Sequence, residues 1–416
     1  MTAHVQVGSK KWLLSKLLAA IGYAPVRIVL WDGTQSVPPR IDPIGTVFIK
    51  DWRCLLRLAI DPELYLGEEF SGGRIEIQGD LPEMLAAVSS AACGRRRRAW
   101  FPRLVSHWLE WTQNNTLGGS RRNIHRHYDI GTDFYKLWLD SQLVYTCAYF
   151  THPSETLEGA QIAKMNHVCR KVQLQPGDTV VEAGCGWGAL ALHMAKCYGA
   201  RVKAFNISHE QIVYARERAV REGLSGQVEF VEDDYRNITG KFDVFMSVGM
   251  LEHVGLGHYD ELGEIIQRCL KVTGRGFLHF IGRNRPMRFS PWIRRRIFPG
   301  AYPPSLRQSL EVFEAHDLSV LDVENLRLHY AQTLKHWLDR FERSSDKVAE
   351  MLGPSFVRTW RLYLAGSTAA FRVGTLQLFQ IFFAPAANHQ VPWTRAHQYS
   401  DNRAGRQEQK WIPAMS

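Results

Sequence analysis

From about residue 160 the chain alternates between two hydrophobic periods. Apolar positions recur at helical spacing over Leu157–Val172 and Ala189–Cys197. Between and after them stand short apolar runs of strand length: Thr179–Ala183, Arg201–Phe205, Val228–Val231, Phe242–Ser247 and Gly276–Ile281. Pro176-Gly177 bounds the first run, and such alternation predicts βαβ units around a parallel sheet covered on both faces. Residues 25–90 read differently. Val26–Trp31, Gly45–Lys50 and Gly73–Gly79 are short strand patterns punctuated by Asp32-Gly33 and Pro38-Pro39, which predicts a smaller α+β domain. Before it, Leu13, Leu17, Ala20 and Ile21 fall on one face of an amphipathic helix, suited to docking on the protein's own core or on lipid. Lys16 interrupts the apolar run, and no small-residue cleavage site follows, so a signal peptide is not expected.

These shifts divide the chain into an accessory domain over 1–94, a basic linker over 95–122, a catalytic domain over 123–395 and a tail over 396–416. The linker opens on Gly94-Arg-Arg-Arg-Arg and closes on Asn114–Ser120. A short helix is expected between them, carrying Trp100, Phe101, Trp108 and Trp111.

The turn after the first catalytic strand carries the chemistry. Glu182-Ala-Gly184-Cys-Gly186-Trp-Gly188 follows a strand and opens a helix, where glycines let backbone approach a ligand beside an electropositive helix N-terminus. The spacing is not the dinucleotide fingerprint. It resembles motif I of class I S-adenosylmethionine methyltransferases; a plain strand-to-helix turn is the bland alternative. Many of those enzymes end the second strand on an acidic residue for the ribose, whereas this chain runs Ala204-Phe-Asn206-Ile-Ser208-His-Glu-Gln211.

Further segments narrow the resemblance. Arg126–Asp140, Tyr145–Phe150, Asn206–Gln211, Asp234-Tyr-Arg, Met250–Gly255, His279-Phe-Ile-Gly, Ile297-Phe-Pro-Gly, His329–Trp337, Trp360–Ala365 and Gln380-Ile-Phe-Phe stand in the order of the cyclopropane fatty acid synthase and mycolic acid cyclopropane synthase family. The resemblance spans about 125–385, and residues 25–90 are similar to the N-terminal domain of its longer members. It implies an α/β fold: a class I methyltransferase Rossmann-like sheet flanked by helices, with the smaller N-terminal domain attached. Gly300-Ala-Tyr-Pro-Pro-Ser departs from the family pattern in a substrate-side loop, which bears on acyl-chain preference.

By carry-over, the resemblance implies S-adenosylmethionine held by Tyr145, Thr146, Gly184, Gly186, Gly188, Asn206, Ser208, Gln211, Asp234 and Tyr235. Asp234 and Tyr235 could equally cap the following turn. It also implies a bicarbonate base held by Cys147, Glu252, His279, Tyr330 and the backbone of Ile281. Taken alone, Cys147 would be a buried small hydrophobe and His279 a satisfied core histidine. Glu252-His253 lacks a third ligand for a metal at suitable spacing, and no metal is expected. The reaction implied is methyl transfer to the cis double bond of an unsaturated phospholipid acyl chain, followed by proton loss to close a cyclopropane ring. Methylene- or methyl-branched chains are the alternative product, and a non-catalytic lipid-binding protein is the alternative class.

Composition adds a partner. The 416 residues hold 51 Lys+Arg against 41 Asp+Glu, a net charge of +10. Basic residues cluster at Arg95–Arg98, at Arg121, Arg122 and Arg126, and at Arg294–Arg296. An anionic membrane surface is expected as the partner, with peripheral attachment to the inner leaflet of a cytoplasmic protein. No nucleic-acid module is recognisable. The accessory domain is a lipid, membrane or dimerisation module, which leaves room for a homodimer. Seven cysteines without a C-x-x-C pair fit a reduced compartment and no zinc site.

Overall fold

The computed structural model describes residues 7–36, 42–96 and 130–399, without the side chains of 7–9 and 93–96. Arg97, Arg98, Arg121, Arg122 and Arg126, the side chains of Arg95 and Arg96, the expected aromatic helix of the linker, and the tail beyond Tyr399 lie outside that description.

The catalytic part is built on seven strands: β4 (Thr179–Ala183), β5 (Arg201–Asn206), β6 (Val228–Glu232), β7 (Phe242–Val248), β8 (Leu270–Gly282), β9 (Leu318–Asn325) and β10 (Gln377–Pro385). Their order across the sheet is β6-β5-β4-β7-β8-β10-β9. The strands from β6 to β8 pair in parallel, while β10 runs antiparallel to both β8 and β9. Strands β4, β7 and β10 are buried along nearly their whole length, as expected of a sheet covered on both faces. The structure thus gives the α/β sheet that the alternation predicts, but mixed rather than wholly parallel.

Strand β9 has no counterpart among the sequence expectations. It lies at the sheet edge with alternating burial and carries Asp322 and Glu324, so it lacks a continuous apolar run. Helices were equally hard to read in the accessory part. Its strands β1 (Val26–Leu30), β2 (Gly45–Ile49) and β3 (Ile75–Gly79) form a separate three-stranded sheet. Helices Trp52–Ile60, Pro62–Ser71 and Leu81–Arg96 stand among them. Asp51 and Asp61 cap the first two, accepting from the N–H groups of Cys54 (2.9 Å) and Leu64 (3.1 Å), and Pro62 occupies the first turn of the second. The Val7–Ala20 helix docks on the protein's own core through Leu13, Leu14 and Leu17, with Trp12 left exposed.

The accessory part packs on the long Pro354–Arg372 helix. Arg358 joins them: its Nε donates to the carbonyl of Phe70 (2.6 Å), its Nη2 to that of Ile75, and the guanidinium lies 4.6 Å from the Phe70 ring centroid. Arg358→Met is expected to cost about 1–3 kcal/mol, read as a lower urea midpoint, because two carbonyls lose a charged donor. The same helix and Arg327–Arg343 enclose an aromatic cluster. Phe134, Trp138 and Trp360 lie edge to face or tilted at 5.0–5.9 Å, and Trp337 packs edge-on to Trp138. No helix among the described residues is long and apolar enough to cross a membrane.

Candidate active site

The direction of strand succession reverses between β4 and β7, and open α/β sheets bind ligands at the carboxyl ends of strands at such a point. A cavity lies there. Gly184 and Gly186 line it from the turn after β4, Asn206 from the end of β5, and Gly249 and Met250 from the end of β7. Tyr145, Thr146, Trp187 and Gln211 complete much of the wall. Asn206 Nδ2 donates to the Gly186 carbonyl (3.2 Å) and to Gln211 Oε1 (2.7 Å), so the residue standing where an acid is common is tied to both the glycine turn and the next helix.

Four residues expected at the cofactor are placed elsewhere. Gly188 packs under Phe230, where a Cβ would stand 2.6 Å from the ring, and Ser208 is the N-cap position of the His209–Arg221 helix. Asp234 accepts from the Arg236 N–H (3.0 Å) and pairs with its guanidinium (3.1 Å). Tyr235 is buried with Arg236 4.9 Å from its ring centroid. Asp234 caps the Tyr235–Asn237 turn, while the Tyr235 hydroxyl is buried without a protein partner.

Two groups in the cavity wall are not among the residues the sequence points to. Lys164 is buried, its Nζ donating to Thr146 Oγ1 (3.1 Å), and burial pulls its pKa down to about 8. Glu182, noticed only as a motif letter, is buried with Oε2 unpartnered, and burial pushes its pKa up to about 8. Lys164 lies one turn from Ala160 and from Val168 on the buried face of the Leu157–Lys171 helix, a placement that its spacing with other polar residues conceals in the sequence.

A second, more apolar cavity adjoins the first and shares Tyr145, Thr146, Gly249 and His253 with it. Phe289, Ile293, Phe298, Leu334, Phe371 and Leu378 form much of its wall, and Cys147, Glu252, His279, Ile281 and Tyr330 all open onto it. The Ile281 N–H donates to Glu252 Oε1 at 2.5 Å, so that backbone group orients the carboxyl rather than standing available to a ligand. Glu252 Oε2 is buried and has no protein partner, and burial pushes the carboxyl up to about 7. Opposite in character, the His279 ring is held well below its ordinary pKa by burial and is neutral. Gln380 Nε2 donates to its Nδ1 (3.2 Å), which places the ring proton on Nε2, also buried and unpartnered. The cavity therefore presents one buried acceptor and one buried donor beside the cofactor site.

Cys147 is fully buried, its thiol directed at the Ala148 carbonyl (3.1 Å), and burial raises its pKa far above neutrality. It is a thiol, not a thiolate nucleophile. His253 is partly buried, held down at about 4 by desolvation, and stacks edge-on to Phe298 at 5.8 Å. Tyr145 and Tyr363 join hydroxyls at 2.9 Å where the cavities meet. Of the Arg294–Arg296 cluster, Arg296 forms an ion pair with Glu68 and Arg295 stands 3.9 Å from it, so two of its charges face the accessory part.

This arrangement has counterparts among known proteins. The sequence model of the mycolic acid cyclopropane synthetase family matches residues 116–381. A probable fatty acid methyltransferase of Pseudomonas putida is 36% identical over 393 residues, covering 91% of this chain and 97% of that protein. The cyclopropane-fatty-acyl-phospholipid synthase of Escherichia coli K12 is 39% identical over 259 residues, 62% of this chain and 66% of the relative. Among solved structures, a mycolic acid cyclopropane synthase complexed with S-adenosylhomocysteine superposes with a TM-score of 0.60 at 28% identity, covering 63% of this chain and 97% of that one. With a glycine-turn cavity at the sheet's switch point and an apolar cavity joined to it, the chain belongs to the mycolic acid cyclopropane synthetase family and is an S-adenosylmethionine-dependent methyltransferase.

Proposed function

We propose that the protein methylates the cis double bond of an unsaturated acyl chain in a membrane phospholipid and that proton loss then closes a cyclopropane ring. The observation that carries this reading is the junction of the two cavities, where an apolar channel ends beside buried Glu252 and His279. A double bond is a weak nucleophile, so the channel's task is to hold it in line with the methyl donor, and positioning of this kind supplies several kcal/mol. S-adenosylmethionine, when bound, supplies the electrophilic methyl group; bicarbonate, when bound, supplies the base.

The residues fit both groups. The glycine turn leaves room for the cofactor, with the Lys164 ammonium and the protonated Glu182 carboxyl as polar groups in the wall. For an anion, His279 Nε2–H donates, Tyr330 adds a hydroxyl at the wall, and Glu252 Oε2 accepts from a hydroxyl of the anion, which turns a like-charge contact into a hydrogen bond. Tyr330 packs against Phe371 and Trp337, and such aromatic faces favour the positive charge that methyl transfer leaves on the chain while excluding water.

Methylene- or methyl-branched products are the second reading. It is favoured by the Pseudomonas putida relative's name and by Ala301 and Pro303, which bring the departure at 300–305 into the acyl cavity wall. Deuterium count separates a methyl branch from the ring, and a retained double bond separates a methylene branch, which also keeps two deuteriums. Cells expressing the protein and fed methionine with a trideuterated methyl should yield ring-bearing chains with two deuteriums, since one leaves in ring closure. Retention of all three would establish branching, and unlabelled acyl chains would exclude both. We also propose attachment to the cytoplasmic face of the membrane. Pelleting with phosphatidylglycerol vesicles should exceed that with phosphatidylcholine vesicles and fall steeply at high salt; equal pelleting would sink this proposal.

A further inference from the structure

One buried charge near the acyl cavity has no task in the reaction. Residues 282–310 hold seven arginines and no Asp or Glu. Six of them are exposed or partly so, but Arg283 is 6% exposed. Strand alternation puts His279, Ile281 and Arg283 on one face of β8 and its continuation, and the first two line the acyl cavity. Its backbone N–H donates to the Pro304 carbonyl (2.8 Å), next to the cavity residue Pro303. Its Nη1 donates to the carbonyls of Met287 (2.7 Å) and Arg288 (3.2 Å), and its guanidinium lies 5.2 Å from the ring centroid of Phe289, another cavity residue.

That leaves Nε and Nη2 without a hydrogen-bond partner, and no carboxylate within ion-pair distance, among the described residues. Glu63 and Tyr302 favour the charge only from a distance, and burial pulls the pKa down to about 10. At neutral pH the group stays a cation. A buried cation without a counter-ion is costly, and an incoming anion removes that cost.

We propose that Arg283 grips the phosphodiester of a glycerophospholipid headgroup while the unsaturated chain runs past Ile281 and His279. The inference rests on the acyl-phospholipid reading above and adds a site to it. A guanidinium fork with two open donors matches the two non-bridging oxygens of a phosphodiester, and the run of surrounding arginines repels competing cations.

The test is calorimetric binding to the full chain loaded with S-adenosylhomocysteine. Its ligands are dihexanoyl-phosphatidylglycerol, dihexanoylglycerol and inorganic phosphate, and its proteins are wild type, Arg283→Lys and Arg283→Met. Wild type should prefer the phospholipid over the diglyceride by about tenfold or more, Arg283→Met should erase that preference, and Arg283→Lys should keep part of it. Undiminished S-adenosylhomocysteine binding by the variants shows that they fold; should Arg283→Met fail this check, Arg283→Lys decides. No preference in wild type, or full preference in the variant that binds S-adenosylhomocysteine, would overturn the proposal. So would inorganic phosphate binding as tightly as the phospholipid, which would mean a free-anion site. Oleoyl-chain methylation is assayed separately, so a failed acyl-transfer reading with the headgroup preference intact is distinguishable from the reverse.

Discussion

Glu252→Gln is expected to slow turnover on an unsaturated phospholipid by about 10²–10⁴-fold, the usual range for a group engaged in acid–base chemistry, while S-adenosylhomocysteine affinity stays within about twofold. The glutamine keeps the shape and can still accept from the Ile281 N–H, but it presents an amide donor where the unpartnered Oε2 now stands. Burial pushes this carboxyl up to about 7, so its ionised form grows as pH rises through that value. Wild-type turnover is accordingly expected to climb through a step near 7, and the step should be missing from the variant's residual profile. A pH-independent loss would reduce Glu252 to a packing role.

The same shift makes an opposite forecast for stability. The unfolded carboxyl ionises near its ordinary value of 4.5 and the folded one near 7, so the folded chain binds the proton more tightly. Its stabilising contribution is full below about 4.5 and is lost as pH rises toward 7, amounting to roughly 3 kcal/mol. Glu252→Gln should therefore be little changed at pH 5 and more resistant to denaturant than wild type at pH 8, by about 1–3 kcal/mol. Lower activity together with higher stability at pH 8 would mark the carboxylate as strained for function.

Gly188→Ala is expected to lower stability by about 2–5 kcal/mol. Gly188 has a φ of +81°, and an added Cβ would meet Phe230 Cζ at 2.6 Å and Ala215 Cβ at 3.0 Å. Left-handed backbone costs about 1–2 kcal/mol for an L side chain, and overpacking adds about 1–3. Gly186 offers a contrast within the same turn. At φ +54° its Cβ would enter open space, and the residue lines the cofactor cavity. Gly186→Ala should lose only about 1–2 kcal/mol of stability but weaken S-adenosylhomocysteine binding by about tenfold or more. Chemical denaturation and calorimetry on the pair separate a glycine required by the fold from one required by the ligand. Equal effects on both measurements would refute the division.

Legibility followed the physics of each element. Strands buried on both faces announced themselves as apolar runs, so β4, β5, β6 and β7 were readable to within a residue or so. β8 begins six residues before the expected Gly276 because its first turn of chain is only partly buried. The edge strand β9, half-exposed and acidic, gave no such run. At the site, the glycine turn was legible because backbone approach leaves only glycine as an option. The Asp234 cap and its pairing with Arg236 were not, since a residue that caps a turn and one that contacts a ligand look alike in the sequence.

The Leu157–Lys171 helix shows where the boundary falls. Its existence was determined locally, by apolar spacing and by Thr156, whose hydroxyl accepts from the Gly159 N–H (3.2 Å). Its polar residues Gln161, Lys164, His167 and Lys171 recur every three or four positions, a pattern that by itself describes a solvated face. All four are buried. Gln161 and Lys164 hold the 144–146 segment at the cavity wall, while His167 and Lys171 pair with Glu324 on β9, at 2.8 and 2.7 Å. The sequence by itself thus determined the inner strands of the sheet, helices such as this one and where backbone must yield to a ligand, because those are matters of local period and steric freedom. Only the tertiary structure decided which polar groups are buried together, because the carboxylates that make such burial tolerable come from some 150 residues further along the chain.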